Sequence, residues 1–259
     1  MSQSSTATLV TGFADGILTV RMNRPAKRNA LTGDMYEAFT AALLRAEDDA
    51  AVRCVLVCGV PGAFSAGNDL ESFVASGEAG VPRPAHGLIR ALAAATVPLV
   101  AAVDGVAIGI GTTMLLHCDF VFATPVAKFS LPFINLGLCP EAGSSLLLPR
   151  LAGYQHAARL LLLGEAFDAE EAARLGLVHG ICASEDVEAR ALATAAKLAA
   201  KPRQALRATK ALLKRAEEPV AERIEIEIER FGELLTTPAA REIMSAFLEK
   251  RAPDRRLLD

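Results

Sequence analysis

The chain has 259 residues, of which 52% are hydrophobic, and its formal net charge at pH 7 is −3. That length and composition suffice for one large domain with a sizeable core. The small negative charge argues against a general affinity for nucleic acid or other polyanions. No apolar run reaches the roughly 18 residues that a membrane span requires. Residues 1–8 also lack the basic and apolar regions of a signal peptide, so we expect neither a membrane partner nor secretion.

The cysteines and histidines give no sign of a disulfide framework or a metal centre. The chain has five cysteines, an odd number, and they are scattered along the sequence. This usage fits a reduced protein, and we therefore expect a cytoplasmic location. The four histidines are isolated from one another, so we expect no metal ligands.

The first hundred residues read as strands and helices in alternation. Residues 9–23 predict a β-hairpin with its turn at Asp15-Gly16. Thr32 is suited to cap a helix whose apolar positions recur every four residues. Residues 53–58 and 97–103 predict buried strands, and residues 85–95 predict the helix before the second of these.

The last third of the chain reads as mostly helical. Asp168, followed three residues later by Glu171, predicts a capped helix start, and Gly176 its end. Residues 224–229 alternate Ile and Glu as a strand would, but the three/four spacing of the surrounding apolar residues favours a helix. The strand–strand–helix rhythm before them predicts an α/β core. We place this core in residues 1–195 and a helical region in residues 196–259.

The stretch from residue 96 to residue 150 carries the chemistry. A buried strand leads to Gly109 and Gly111, which allow backbone amides to approach a ligand closely. Further on, Glu141 is the only charged side chain between Lys128 and Arg150. A lone carboxylate in apolar surroundings is typical of a general base with a raised pKa. The alternative is a glutamate in the first turn of a helix, stabilised by the helix dipole.

Four segments together resemble the enoyl-CoA hydratase/isomerase, or crotonase, superfamily. They are residues 23–31 (NRPAKRNAL), 64–70 (FSAGNDL), 104–111 (DGVAIGIG) and 136–145 (LGLCPEAGSS). The resemblance covers nearly the whole chain. It implies an α/β fold of the crotonase (ClpP-like) type, a spiral of ββα units with a helical C-terminal region that supports homotrimers or hexamers. It also implies an acyl-CoA substrate and no further cofactor, because coenzyme A arrives as part of the substrate.

The resemblance assigns roles to individual residues. Matched by position, the backbone N–H groups of Asn68 and Ile110 bind the thioester oxygen as an oxyanion hole. Preorganised donors of this kind stabilise a developing enolate by roughly 3 kcal/mol each. Lys27 and Arg28 become candidate contacts to the phosphates of CoA. The residues expected around the substrate are Lys27, Arg28, Ala66, Gly67, Asp69, Leu70, Gly109 and Phe133.

The sequence departs from the hydratase pattern at two positions. Hydratases of the family use two glutamates to activate water, and the matching positions here hold Thr113 and Phe133. Neither residue can act as a general base or a general acid at neutral pH. Glu141 instead occupies the place of the catalytic glutamate in peroxisomal-type Δ3,Δ2-enoyl-CoA isomerases. Double-bond migration needs only one base, which removes a proton at C2 and returns it at C4.

Four alternatives remain open on the sequence. Another one-carboxylate reaction, such as the ring-expanding isomerisation of an epoxyphenylacetyl-CoA, also places an acidic residue at the position of Glu141. Enoyl-CoA hydration and a non-catalytic CoA-binding subunit are two more. The fourth is a serine hydrolase, because Ser65 lies in a near match to Gly-x-Ser-x-Gly and is followed by Asp168 and His179. If Ser65 is not a nucleophile, Ser65→Ala is expected to be almost neutral.

Overall fold

The computed structural model describes residues 7–69, 83–215 and 218–258, and the strands in these ranges form two sheets. The strands are β1 (Leu9–Ala14), β2 (Ile17–Met22), β3 (Cys54–Cys58), β4 (Ala63–Ser65), β5 (Leu99–Val103), β6 (Val106–Ile108), β7 (Phe120–Ala123), β8 (Lys128–Ser130), β9 (Phe167–Asp168) and β10 (Gly180–Ile181). The larger sheet has the order β1-β2-β3-β5-β7-β10 and the smaller one β4-β6-β8-β9.

Successive strands alternate between the two sheets. β3, β5 and β7 lie side by side in parallel in the larger sheet, and the strands that follow them, β4, β6 and β8, lie in parallel in the smaller one. Each turn of the chain therefore adds one strand to each sheet before a helical segment returns it. This arrangement confirms the predicted α/β spiral of ββα units. The hairpin β1–β2 closes one edge with the expected two-residue turn, in which Asp15 and Gly16 both have positive φ.

The helices follow the strand pairs and then fill the C-terminal part of the chain. They are α1 (Gly33–Asp48), α2 (Arg83–Ala94), α3 (Ile110–Thr113), α4 (Ser144–Ala152), α5 (Tyr154–Ala158), α6 (Ala169–Arg174), α7 (Val187–Ala199), α8 (Arg203–Leu213), α9 (Val220–Leu235) and α10 (Pro238–Leu248). Within the described ranges, none of these helices is both long and apolar enough to cross a membrane.

The caps predicted from sequence are present. The Thr32 hydroxyl accepts the amide of Met35 at 3.4 Å and begins α1, and Asp168 accepts the amide of Glu171 at 2.9 Å and begins α6. Residues 224–229 lie within helix α9, so the apolar three/four spacing outweighs the local alternation. After Gly109 the chain forms a single helical turn, α3, which continues as a 3₁₀ turn over Met114–His117.

The larger sheet is covered on both faces, which explains the continuous apolar runs of its central strands. One face packs against α1 and α2 in a core that includes the buried side chains of Phe39, Leu88 and Phe64. The other face packs against α7 through small residues such as Ala191 and Ala195. The division between residues 1–195 and 196–259 stays a prediction.

Candidate active site

The loops after β4 and β6 meet because their strands are parallel neighbours. Gly67 follows β4 with a φ of +89°, and a Cβ there would lie 2.8 Å from the carbonyl oxygen of Ile108. Gly111 approaches from the other loop, and its Cβ would lie 2.8 Å from the carbonyl oxygen of Ser65. Only residues without a side chain allow so close a backbone approach. This double contact brings together the two segments that carry Asn68 and Ile110.

The two amides are suited to receive an oxygen atom. Gly109 adopts φ +55° and ψ −119°, a conformation that only glycine reaches without strain, and it turns β6 into α3. The amides of Thr112 and Thr113 both donate to the carbonyl of Gly109 at 2.9 Å. Among the residues that the structure describes, no hydrogen-bond acceptor is seen for the N–H of Asn68 or of Ile110. Both donors are therefore available to a ligand.

A buried polar network holds the first loop. Asn29 is fully buried with a φ of +57°, and its side-chain amide donates to the carbonyls of Ala63 at 2.8 Å and Phe64 at 3.1 Å. The Ser65 hydroxyl donates to the Asn29 carbonyl at 2.9 Å and accepts the Gly67 amide at 3.1 Å. The serine in the near match to Gly-x-Ser-x-Gly therefore has a structural role, because its hydroxyl holds the loop after β4 in place.

The hydrolase alternative is wrong. Ser65 is completely buried and both sides of its hydroxyl are used within the loop. His179 packs edge-on against Phe120 at 5.1 Å beside the larger sheet, whereas Ser65 lies in the smaller one. Asp168 is exposed and caps α6. A nucleophile needs a base within hydrogen-bonding reach, and these three residues are not assembled.

The residues expected around CoA lie beside this loop, with one outside the described residues. The carbonyl of Arg28 accepts the amide of Ala66 at 2.8 Å, so the exposed side chains of Lys27 and Arg28 flank the loop after β4. Asp69 is buried and accepts a hydrogen bond from the Arg24 guanidinium at 2.5 Å, which directs its carboxylate into the protein. Leu70 lies outside the described residues.

Glu141 lies in a tight turn that immediately precedes α4. Its carbonyl accepts the amide of Ser144 at 3.0 Å and the Ser144 hydroxyl at 2.7 Å. Ala142 follows with a φ of +52°, and its carbonyl accepts a hydrogen bond from Nε2 of the buried His117 at 2.8 Å. Because α4 begins at Ser144, Glu141 does not lie in the first turn of this helix. The alternative interpretation of Glu141 as a first-turn glutamate stabilised by the helix dipole is therefore wrong.

The Glu141 carboxylate is placed for acid–base chemistry. Burial raises its pKa, and a hydrogen bond from the Thr113 hydroxyl to Oε1 opposes the shift without cancelling it. Thr113 is fully buried on α3, three residues after Ile110, so the hydroxyl that contacts the base and one predicted oxyanion donor share a single helical turn. Phe133 is 6% exposed and belongs to the same apolar core as Ile110 and Ala142.

Two residues with a place in the site escaped the sequence analysis. Tyr36 donates its phenolic hydrogen to the side-chain oxygen of Asn68 at 2.5 Å. His117 holds the turn that follows Glu141, and burial lowers its pKa, which favours the neutral ring. A usable signal was that Tyr36 follows the core residue Met35, because a hydroxyl at a buried position must find an acceptor. In the described ranges, no three His, Cys, Asp or Glu side chains gather as a metal site would require.

Comparison with known proteins agrees with this geometry. Residues 12–256 match the Enoyl-CoA hydratase/isomerase family. The chain is 35% identical over 247 residues to the 1,2-epoxyphenylacetyl-CoA isomerase of Escherichia coli K12, covering 92% of this chain and 94% of that protein. It is also 35% identical over 249 residues to the 2,3-dehydroadipyl-CoA hydratase of the same organism, covering 95% and 97%.

A solved structure resembles the whole chain. It is described as an enoyl-CoA hydratase/carnithine racemase from Magnetospirillum magneticum AMB-1 and superposes with a TM-score of 0.92 at 47% identity, covering 98% of this chain and 99% of that one. The fold of this chain matches that of the solved structure. The chain belongs to the enoyl-CoA hydratase/isomerase family and is a crotonase-type enzyme of CoA thioesters.

Proposed function

We propose that the protein converts 3-enoyl-CoA to trans-2-enoyl-CoA, as the peroxisomal-type Δ3,Δ2-enoyl-CoA isomerases do. One observation carries the proposal: the Glu141 carboxylate accepts a hydrogen bond from the hydroxyl of Thr113. Hydratases of the family have a glutamate at the position of Thr113. A single carboxylate beside a neutral hydroxyl can move a proton between two carbons. A site with this one carboxylate lacks the second acid–base group that water addition needs.

The proposed reaction uses Glu141 twice. Its carboxylate removes a proton from C2, and the electron pair of that C–H bond spreads over the thioester carbonyl and the C3–C4 double bond. The N–H groups of Asn68 and Ile110 stabilise the negative oxygen of this dienolate. The carboxylic acid of Glu141 then protonates C4, which regenerates the carboxylate. Because Thr113 occupies Oε1, we assign the proton transfers to Oε2.

Burial of the site supports a proton that stays with the enzyme. Burial raises the pKa of Glu141, so its carboxylate is a stronger base than an exposed one, and a desolvated acid exchanges less readily with solvent. Phe133 adds apolar surface to the same core, which disfavours a bound water. In deuterated buffer, part of the product from 3-enoyl-CoA is therefore expected to carry the original C2 hydrogen at C4.

A second candidate is the ring-expanding isomerisation of an epoxyphenylacetyl-CoA. A relative of 35% identity is named 1,2-epoxyphenylacetyl-CoA isomerase, and that reaction would use the same carboxylate and oxyanion donors. Hydration is favoured by the names of other relatives, such as the 2,3-dehydroadipyl-CoA hydratase. It is disfavoured by the residues Thr113 and Phe133.

The decisive experiment offers the purified protein three substrates side by side: 3-enoyl-CoA, trans-2-enoyl-CoA and 1,2-epoxyphenylacetyl-CoA. Mass spectrometry of the products in deuterated buffer reports turnover and proton retention together. We expect turnover of the first and little hydration of the second. Efficient formation of 3-hydroxyacyl-CoA would reject the proposal, and preferential turnover of the epoxide would transfer it to the second candidate.

We also propose that the chain acts as a homotrimer or hexamer in the cytoplasm, with CoA as part of the substrate and no separate cofactor. None of the described residues of α9 is buried, and Ile228 and Phe231 are 59% and 69% exposed. They line a groove of about 620 Å³ between α8 and α9. An apolar face of this size is typical of an interface between subunits. Light scattering at several protein concentrations measures the oligomeric state and so tests the proposed trimer or hexamer.

A further inference from the structure

Tyr36 connects helix α1 to the loop that carries the first predicted oxyanion donor. Its side chain is only 5% exposed, and its hydroxyl donates to Oδ1 of Asn68 at 2.5 Å. The predicted function of Asn68 uses its backbone N–H, so a hydrogen bond to its side chain is not required for the chemistry itself. The contact satisfies the buried hydroxyl and at the same time ties the Asn68 side chain to α1.

Leu31, which lies just before α1, also holds the backbone around Asn68. The amide of Leu31 donates to the carbonyl of Gly67 at 2.7 Å, and the amide of Asp69 donates to the carbonyl of Leu31 at 3.0 Å. These bonds fix the peptides on either side of Asn68 but leave its own N–H unpaired among the described residues. The Tyr36 hydroxyl adds a third point of attachment through the side chain. With three attachments, the peptide of Asn68 cannot rotate without breaking one of them.

The phenol of Tyr36 stays protonated. Burial raises the pKa of Tyr36, and the negative charge of Glu141 raises it further. A phenol held neutral in this way is a permanent hydrogen-bond donor at any working pH.

We propose that Tyr36 is a positioning residue of the oxyanion hole: its hydroxyl fixes Asn68 so that the Asn68 N–H is directed at the thioester oxygen. The inference rests on the proposed function, because it assumes that a CoA thioester binds there. It predicts that the Tyr36 hydroxyl contributes to binding of the negatively charged enolate and not to binding of CoA.

The test measures enolate binding directly. The probe is acetoacetyl-CoA, a thioester whose enolate absorbs ultraviolet light that the keto form does not. Tyr36→Phe keeps the ring in the core and removes only the hydroxyl. We expect its affinity for the enolate to fall about tenfold, less than the roughly 100-fold or greater effect of losing an oxyanion donor outright. Calorimetry with CoA itself should show an unchanged affinity, and the kcat for 3-enoyl-CoA should fall with little change in KM.

Two further variants separate positioning from general damage to the helix. Thr40→Val removes the hydroxyl one turn further along α1, which donates to the Tyr36 carbonyl at 2.7 Å and does not contact Asn68. It should leave the enolate spectrum unchanged. Asn68→Ala removes the acceptor, so the double variant Tyr36→Phe/Asn68→Ala should bind the enolate no more weakly than Asn68→Ala alone.

The outcomes are distinguishable. Acetoacetyl-CoA binding with an unchanged enolate fraction in Tyr36→Phe would overturn the role of Tyr36 and leave the proposed function standing. Additive losses in the double variant, or an equal loss in Thr40→Val, would also overturn it. Failure of the wild-type protein to bind acetoacetyl-CoA at all would reject the CoA-thioester site and the inference with it.

Discussion

The two walls of the candidate site are built in different ways. One wall consists of the loops after β4 and β6, which present backbone N–H groups of Asn68 and Ile110. The other is the turn before α4, which presents the carboxylate of Glu141. On the first wall the functional atoms belong to every amino acid, so their position depends on conformation. On the second wall the functional atoms belong to one side chain, so their function depends on the chemical identity of that residue.

This difference predicts where each wall is vulnerable. The oxyanion wall depends on glycines that allow close approach and on buried partners such as Asn29 and Ser65. The base wall depends on the carboxylate, its burial and the Thr113 hydroxyl. Substitutions on the first wall should act through geometry, and those on the second through proton affinity. Four variants test this contrast.

The largest effect is expected from Glu141→Gln, which keeps the size and polarity of the side chain but removes the base. Loss of a general base lowers kcat by roughly 100- to 10,000-fold. The control is Glu170→Gln, an exposed glutamate at the start of α6, which should retain full activity. Isomerase activity in Glu141→Gln at half the wild-type rate would contradict the assignment.

The same variant should also change stability. Because burial raises the folded-state pKa of Glu141, the site favours the protonated form, and the stability that this provides is lost as pH rises through the folded pKa. A neutral amide avoids this loss. Glu141→Gln should therefore melt at a higher temperature than wild type at neutral pH. The difference should disappear below the ordinary glutamate pKa of 4.5.

A smaller but still large effect is expected from Gly109→Ala. Alanine cannot adopt φ +55° with ψ −119° without strain, so the Ile110 peptide must rotate away from the ligand. We expect kcat to fall about 100-fold, as when an oxyanion donor is lost. Gly153→Ala is the matched control, since Gly153 also has a positive φ and open space around its Cα. Equal activity in the two variants would refute the special role of the Gly109 turn.

Thr113→Val should give a shift in pH dependence. The hydroxyl donates to the carboxylate and so lowers its pKa against the effect of burial. Its removal should raise the pKa, and the acid limb of the kcat/KM profile should move to higher pH. Thr113→Ser should restore the profile. Thr112→Val serves as control, because that hydroxyl donates to the carbonyl of Ala107 instead. A shift to lower pH would show that Thr113 does not stabilise the anion.

The smallest effect on turnover is expected from Ser65→Ala, which should act on stability. The variant leaves the buried Asn29 carbonyl and Gly67 amide without their partner, and an unsatisfied buried group costs about 1–3 kcal/mol. The sequence alone suggested an almost neutral change, and the hydrogen bonds of the hydroxyl revise that expectation. Chemical denaturation measures the loss. A variant of unchanged stability would contradict the structural role of the hydroxyl.

Much of this protein follows from local sequence patterns. The hairpin turn at Asp15-Gly16, the caps at Thr32 and Asp168 and the apolar runs of β3 and β5 depend on neighbouring residues, so periodicity and turn chemistry suffice to predict them. The isolation of Glu141 in an apolar stretch is also local, and it was enough to single out the residue as a candidate base.

Other features depended on tertiary contacts. Thr113 and Glu141 are 28 residues apart, and Tyr36 and Asn68 are 32 residues apart. Neither pair can be read from spacing, because the contact exists only after parallel strands bring distant loops together. Ser65 shows the same limit in reverse: its sequence surroundings resemble a nucleophile elbow, and only its burial against Asn29 makes it structural. Local sequence determined which segments form helices and strands, whereas packing of the two sheets decided which polar groups meet, since hydrogen bonds act over a few ångströms of space and not along the chain.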